Sequence, residues 1–120
     1  MSLVFTNGCF DILHRGHIEL FKYCKSLGNK LIVGIDSDKR VKYLKGDSRP
    51  INNENDRKLM LESLIFIDEV VIFNNKLSLE ILIKSLNPDI MVVGSDYRNK
   101  KVIGSEYSKK LLFFERINEY

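Results

Sequence analysis

The chain holds two histidines, and both fall in one short stretch: Thr6-Asn7-Gly8-Cys9-Phe10-Asp11-Ile12-Leu13-His14-Arg15-Gly16-His17. Imidazoles three residues apart on a helix share a face, so both can donate to one anion. Residues 3–5, just before the stretch, read as the end of a strand. Ile18, Phe21, Cys24 and Leu27, just after it, follow the spacing of an amphipathic helix. A strand-to-helix junction gathers backbone N–H groups and the positive end of the helix dipole, and both attract anions. Gly16 carries no side chain, so a phosphate can approach the backbone closely there. The chemistry indicated is hydrogen-bond donation to phosphate oxygens as charge builds in a transition state. Asp11 has two readings, a cap or turn residue and a carboxylate that orients a histidine or a metal-bound phosphate. Cys9 reads as a small buried filler, since nothing near it resembles a general base.

Charge is unevenly spread. Lys39, Arg40, Lys42, Lys45, Arg49, Arg57 and Lys58 stand against Asp47, Glu54 and Asp56, a local excess of four in a chain whose net charge is +3. A solvated face is one explanation. A nucleic-acid surface fits poorly, because Tyr43 is the one aromatic in the segment and no bases alternate with stacking rings. A small, highly charged ligand fits better. Arg57 falls in the first turns of a helix, where the dipole disfavours a cation, so a ligand would give it a reason to be there. Arg49 and Arg57 each offer a planar charged fork to phosphate oxygens.

The elements that position these groups are legible. Strand-like runs cover 3–6, 31–35, 70–73, 90–93 and 111–114, continuous in Val, Ile, Leu and Phe as strands covered on both faces tend to be. Helical patterns fall at 17–27, 37–44, 54–65, 77–86 and, briefly, 104–110. Gly28 reads as a C-cap, Asn53 as an N-cap, and Pro88 closes the fourth helix. Strands alternating with helices give an α/β fold with a doubly wound, parallel, five-stranded sheet. Ligands of such sheets bind beyond the carboxyl ends of the strands. Four polar segments fall there: 6–17, 36–38, 74–75 and 94–96.

At 120 residues the chain is read as one domain, 1–120. No apolar run approaches the ~20 residues of a membrane span, and no basic-then-apolar leader is visible. Two cysteines without an export signal suggest reduced thiols in a cytoplasm. With no C-x-x-C pair, a protein-held metal site is not expected.

The run Gly8-Cys9-Phe10-Asp11-x-Leu13-His14-x-Gly16-His17 resembles the signature of the cytidylyltransferase-like nucleotidyltransferases, with their Rossmann-like fold. These enzymes join a nucleoside triphosphate to a phosphorylated small molecule and release pyrophosphate. The likeness continues through Val41-Lys42-x-Leu44-Lys45-Gly46-Asp47-Ser48-Arg49-Pro50, Asn52 and Asp56-Arg57. It resumes at Asn87-Pro88-Asp89-Ile90, Gly94-Ser95-Asp96-Tyr97 and Ile103-Gly104-Ser105. In this order the runs resemble the adenylyltransferase domain of ADP-heptose synthases. Glycerol-3-phosphate cytidylyltransferases share the first motif and an Arg at the position of Arg57, but not the full Leu-Lys-Gly-Asp-Ser-Arg-Pro run.

The resemblance implies catalysis by His14, His17 and Lys45. It implies nucleotide and phosphate binding by Thr6, Asn7, Gly8, Phe10, Asp11, Gly16, Arg49, Arg57, Gly94, Asp96 and Tyr97, and acceptor binding by Asp36 and Lys42. It also implies Mg2+ carried by the triphosphate, small-molecule substrates and a homodimer, with neither nucleic acid nor a membrane as partner. ATP and a sugar 1-phosphate such as heptose 1-phosphate are the expected substrates. CTP with glycerol 3-phosphate is the alternative, and a nucleotide-binding module without turnover the other. Members of the family carry a further Ser-Thr-Thr-type element opening a last helix. Its absence after 111–117 leaves two expectations, a domain shortened at its C-terminal helix or a protein that lacks this part of the site.

Overall fold

The computed structural model describes residues 2–115; the end of the run 111–117 lies partly outside them. Five strands are present: β1 (Leu3–Gly8), β2 (Lys30–Asp36), β3 (Glu69–Phe73), β4 (Ile90–Gly94) and β5 (Lys110–Phe114). Four helices connect them: α1 (Arg15–Ser26), α2 (Asp38–Lys45), α3 (Glu54–Glu62) and α4 (Lys76–Leu86). All strands are parallel, in the order β3-β2-β1-β4-β5. The chain works outward from β1 to β3, then crosses to the other side for β4 and β5. The switch point therefore lies between β1 and β4, where such sheets form their ligand crevice.

The alternation of side chains explains why the strands read as continuous apolar runs. Val4, Leu31, Val33, Ile35, Val70 and Val92 pack with Phe21 and Cys24 of α1 and Leu61 of α3 on one face. Their neighbours Phe5, Ile32, Phe73, Met91 and Val93 pack with Leu79 and Ile83 of α4 on the other. Both faces are covered, so the middle of each strand is apolar on both sides, while polar residues such as Asn7 and Asp36 fall near the strand ends.

Local signals set most helix ends. Ser37, Asn53 and Asn75 cap α2, α3 and α4, each accepting a backbone N–H of the first turn. The predicted role of Gly28 needs correcting. Leu27 is the C-cap of α1, and Gly28 is there for space: a Cβ would stand 2.8 Å from the Ser2 carbonyl oxygen and 2.9 Å from Val4 Cγ2. The expected helix at 104–110 is a single 3-10 turn, Ser105–Tyr107, entered through Gly104 at φ 82°. Among the described residues no helix is long and apolar enough to cross a membrane.

Candidate active site

A cavity of about 500 Å³ runs along the carboxyl ends of the strands. Every strand contributes to it: Thr6, Asn7 and Gly8 from β1, Asp36 from β2, Phe73 from β3, Val93 and Gly94 from β4, and Phe114 from β5. Phe10, His14, Gly16 and His17 line it from the start of α1, Lys45 from the end of α2, and Asp96 and Tyr97 from the turn after β4. Twelve of the residues expected at a site thus share one cavity.

The start of α1 is built from the histidines themselves. His14 is the N-cap, and its Nδ1 accepts the Gly16 N–H at 3.0 Å. His17 reaches back, and its Nδ1 accepts the His14 N–H at 3.4 Å. This is a reciprocal capping box made of two imidazoles. With Nδ1 of each ring accepting, the proton of each neutral ring sits on Nε2, so both rings act as donors through Nε2. The rings stack 3.8 Å apart, and the edge of His17 meets Phe10 at 5.1 Å. Phe10 sits at φ 49° with its ring over Gly8, where a Cβ would lie 3.0 Å from Phe10 Cζ. The expected open backbone at Gly16 is therefore corrected. Its N–H is taken by His14, although Gly16 still lines the cavity with both imidazoles.

A family model for cytidylyltransferase-like proteins matches residues 5–116, which include every one of these groups. The chain belongs to the cytidylyltransferase-like family. It is a nucleotidyltransferase-like domain. It is 50% identical over 117 residues to the bifunctional protein HldE of Campylobacter fetus, covering 98% of this chain and 25% of that protein. It is 52% identical over 114 residues to the bifunctional protein HldE of Helicobacter pylori strain P12, covering 95% and 24%. The chain thus spans about a quarter of the length of these curated relatives. Among solved structures, a lipopolysaccharide core biosynthesis protein from Thermoplasma volcanium matches with a TM-score of 0.81 and 26% identity over 98% of each chain.

Four expected site residues of this family domain do not line the cavity. Arg57 is completely buried. Its Nε donates to the Asn52 carbonyl at 2.9 Å, and its Nη1 to those of Cys9 at 2.9 Å and Asp36 at 2.7 Å. Its Nη2 pairs with Asp38 Oδ1 at 2.9 Å. The guanidinium joins the loop after β1, the end of β2 and the entry to α3, and these bonds, not a phosphate, explain a cation at that helix start. Asp11 does similar work from the other side. Its carboxylate accepts the N–H groups of Ile51 and Asn52, each at 2.8 Å, and Arg49 Nη1 at 3.3 Å. Arg49 is thereby an ion-pair partner of Asp11. Lys42 is exposed and stands outside the cavity. The segment 74–75 is also absent from it, since Asn75 caps α4.

Burial pushes the Asp11 carboxyl up, but the Asn52 and Ile51 N–H groups and Arg49 outweigh it and hold it below the ordinary 3.8. A carboxyl depressed by folding contributes stability above its unfolded pKa and loses it as pH falls through the folded one. Asp11→Asn should therefore cost roughly 1–3 kcal/mol at neutral pH. The gap to wild type should narrow as the pH drops below 3.8. Urea melts of both proteins across that range check this, and a pH-independent gap would assign the loss to shape rather than charge.

Arg40 and Lys101 line the cavity although the sequence reading did not place them there, and Cys9, expected to be a buried filler, is half-buried and lines it too. Burial pushes the Cys9 thiol up in spite of Lys45 and Arg57 nearby, which keeps it protonated and unsuited to attack. Arg40 was visible only as part of a basic run. Position i+4 from Asp36 was the available signal for it.

Proposed function

We propose that this domain transfers an adenylyl group from ATP to a sugar 1-phosphate, with heptose 1-phosphate the leading acceptor, and releases pyrophosphate. The observation that carries the reading is the pair of stacked imidazoles, His14 and His17, at the start of α1 in one cavity with Lys45. The acceptor phosphate is already a nucleophile, so no strong general base is required. One of its oxygens attacks the α-phosphorus, the bond to the pyrophosphate oxygen breaks, and the electron pair leaves with pyrophosphate. His14 and His17 donate to oxygens that gain charge along this path, and Lys45 supplies a positive charge beside them. Thr6 serves by holding the floor: its hydroxyl donates to the Val92 carbonyl at 2.8 Å, joining β1 to β4 under the ligand. Asp96 and Tyr97, which line the cavity with Gly94, hold the base or ribose in this reading, as the family resemblance implies.

Among the described residues no three His, Cys, Asp or Glu side chains converge as a metal-ligand set. Mg2+ is proposed to enter with the triphosphate, where it would neutralise phosphate charge. The choice of ATP and of a heptose phosphate rests on the match of residues 41–50 to ADP-heptose synthases and on the likeness to the two HldE proteins.

A pyrophosphate-release assay with ATP and CTP, each against heptose 1-phosphate and glycerol 3-phosphate, tests the reading. Turnover only with CTP and glycerol 3-phosphate would favour the cytidylyltransferase alternative, and nucleotide binding without turnover the binding module. In the same assay Lys45→Ala should raise KM for at least one substrate by about tenfold. The wild-type rate should also fall as salt is raised. Unchanged KM values would make Lys45 merely a solvated residue.

A further inference from the structure

Arg40 and Arg57 are both nearly withdrawn from solvent, yet they are used in opposite ways. Arg57 spends its donors on four oxygens of the protein. Arg40, with 12% of its side chain exposed, lines the cavity, and its buried Nε has no hydrogen-bond partner. Asp36 Oδ1 stands 3.7 Å from that nitrogen, close enough for attraction and too far for a hydrogen bond. The Arg40 guanidinium lies 5.8 Å from the centre of the Tyr43 ring. Asp36 is also little exposed and also lines the cavity. The two form a charge pair with hydrogen-bonding capacity unspent, fixed by burial at the carboxyl end of β2.

Such a pair suits a hydroxyl better than a phosphate. The carboxylate offsets the charge of Arg40 and repels a second anion, whereas a hydroxyl donates to the carboxylate and accepts from the guanidinium. Lys45 forms no ion pair among the described residues and is the natural cation for the phosphate. We infer that Arg40, paired with Asp36, selects the acceptor by binding hydroxyls of its sugar body. The enzyme would thereby favour polyhydroxylated sugar phosphates over short alcohol phosphates. This rests on the acceptor reading given above and assigns Arg40 a role that the motif comparison did not.

The test is Arg40→Gln, with Arg40→Lys as a second variant that keeps the charge, both checked for folding by thermal melts. For heptose 1-phosphate, Arg40→Gln should raise KM about tenfold or more, with a smaller change in kcat and in KM for ATP. Calorimetric titration should show the same loss of heptose 1-phosphate binding, and little change for glycerol 3-phosphate. Arg40→Lys should recover part of the loss. An unchanged KM and Kd for heptose 1-phosphate would overturn the inference while leaving nucleotidyl transfer standing. So would an equal loss for both acceptors, which would assign Arg40 to the phosphate, or a loss confined to ATP. If wild type releases no pyrophosphate from any triphosphate, the transfer reading fails. Calorimetry then decides the inference separately: Arg40-dependent binding of heptose 1-phosphate upholds it, and no such binding overturns it.

Discussion

Replacing His14 with Asn should lower kcat by roughly 10²–10³-fold, the usual scale for losing one preorganised donor to a developing charge, while leaving the fold in place. The structure makes this the informative substitution. His14 is both the N-cap of α1 and a cavity-lining donor. Asn is among the best N-cap residues, so the Gly16 N–H keeps an acceptor and stability should change by only about 0.5 kcal/mol. His14→Ala removes both functions and should lose about 1 kcal/mol in addition to the rate. His17→Ala should lose a comparable factor in kcat, since it deletes a donor and also the ring stacked on His14 and packed against Phe10. Steady-state pyrophosphate release alongside urea melts separates the two effects. Near-normal turnover in His14→Asn would reduce His14 to a helix cap.

The largest loss of stability is expected from Arg57→Met. The substitution leaves three part-buried carbonyls and the partly exposed Asp38 carboxylate without their donor; each unsatisfied buried partner typically costs about 1–3 kcal/mol, so a total of about 3–5 kcal/mol is expected. A domain of this size has roughly 5–15 kcal/mol in all, so the denaturation midpoint should collapse toward mild conditions. Arg57→Lys should rescue little, because an ammonium cannot spread its donors over oxygens that a planar fork reaches together. The midpoint of urea unfolding is the measurement, and a wild-type midpoint for Arg57→Met would refute the assignment of Arg57 as the joint between the three segments. Activity should fall with stability in these variants, since Arg57 ties down the Cys9 carbonyl only five residues before His14.

The sequence by itself determined the architecture and most of the residues that line the candidate cavity. Strands covered on both faces are mostly apolar along their length, so 3–6, 31–35, 70–73, 90–93 and 111–114 were legible, and helices between them favour parallel strands. The two histidines, Gly16 and Lys45 were legible because their residue types are costly to explain otherwise and their spacing forms a motif. Tertiary structure decided what each charged side chain faces. Nothing local to Arg57 says that its guanidinium meets carbonyls 48 and 21 residues away, and nothing local to Asp11 says that it holds the backbone of Ile51 and Asn52. A charge reads the same in sequence whether it grips a ligand or its own chain. Only the folded chain brings the distant partners close enough to consume Arg57, and leaves Arg40, seventeen residues earlier in the same basic run, against the cavity with a donor unspent.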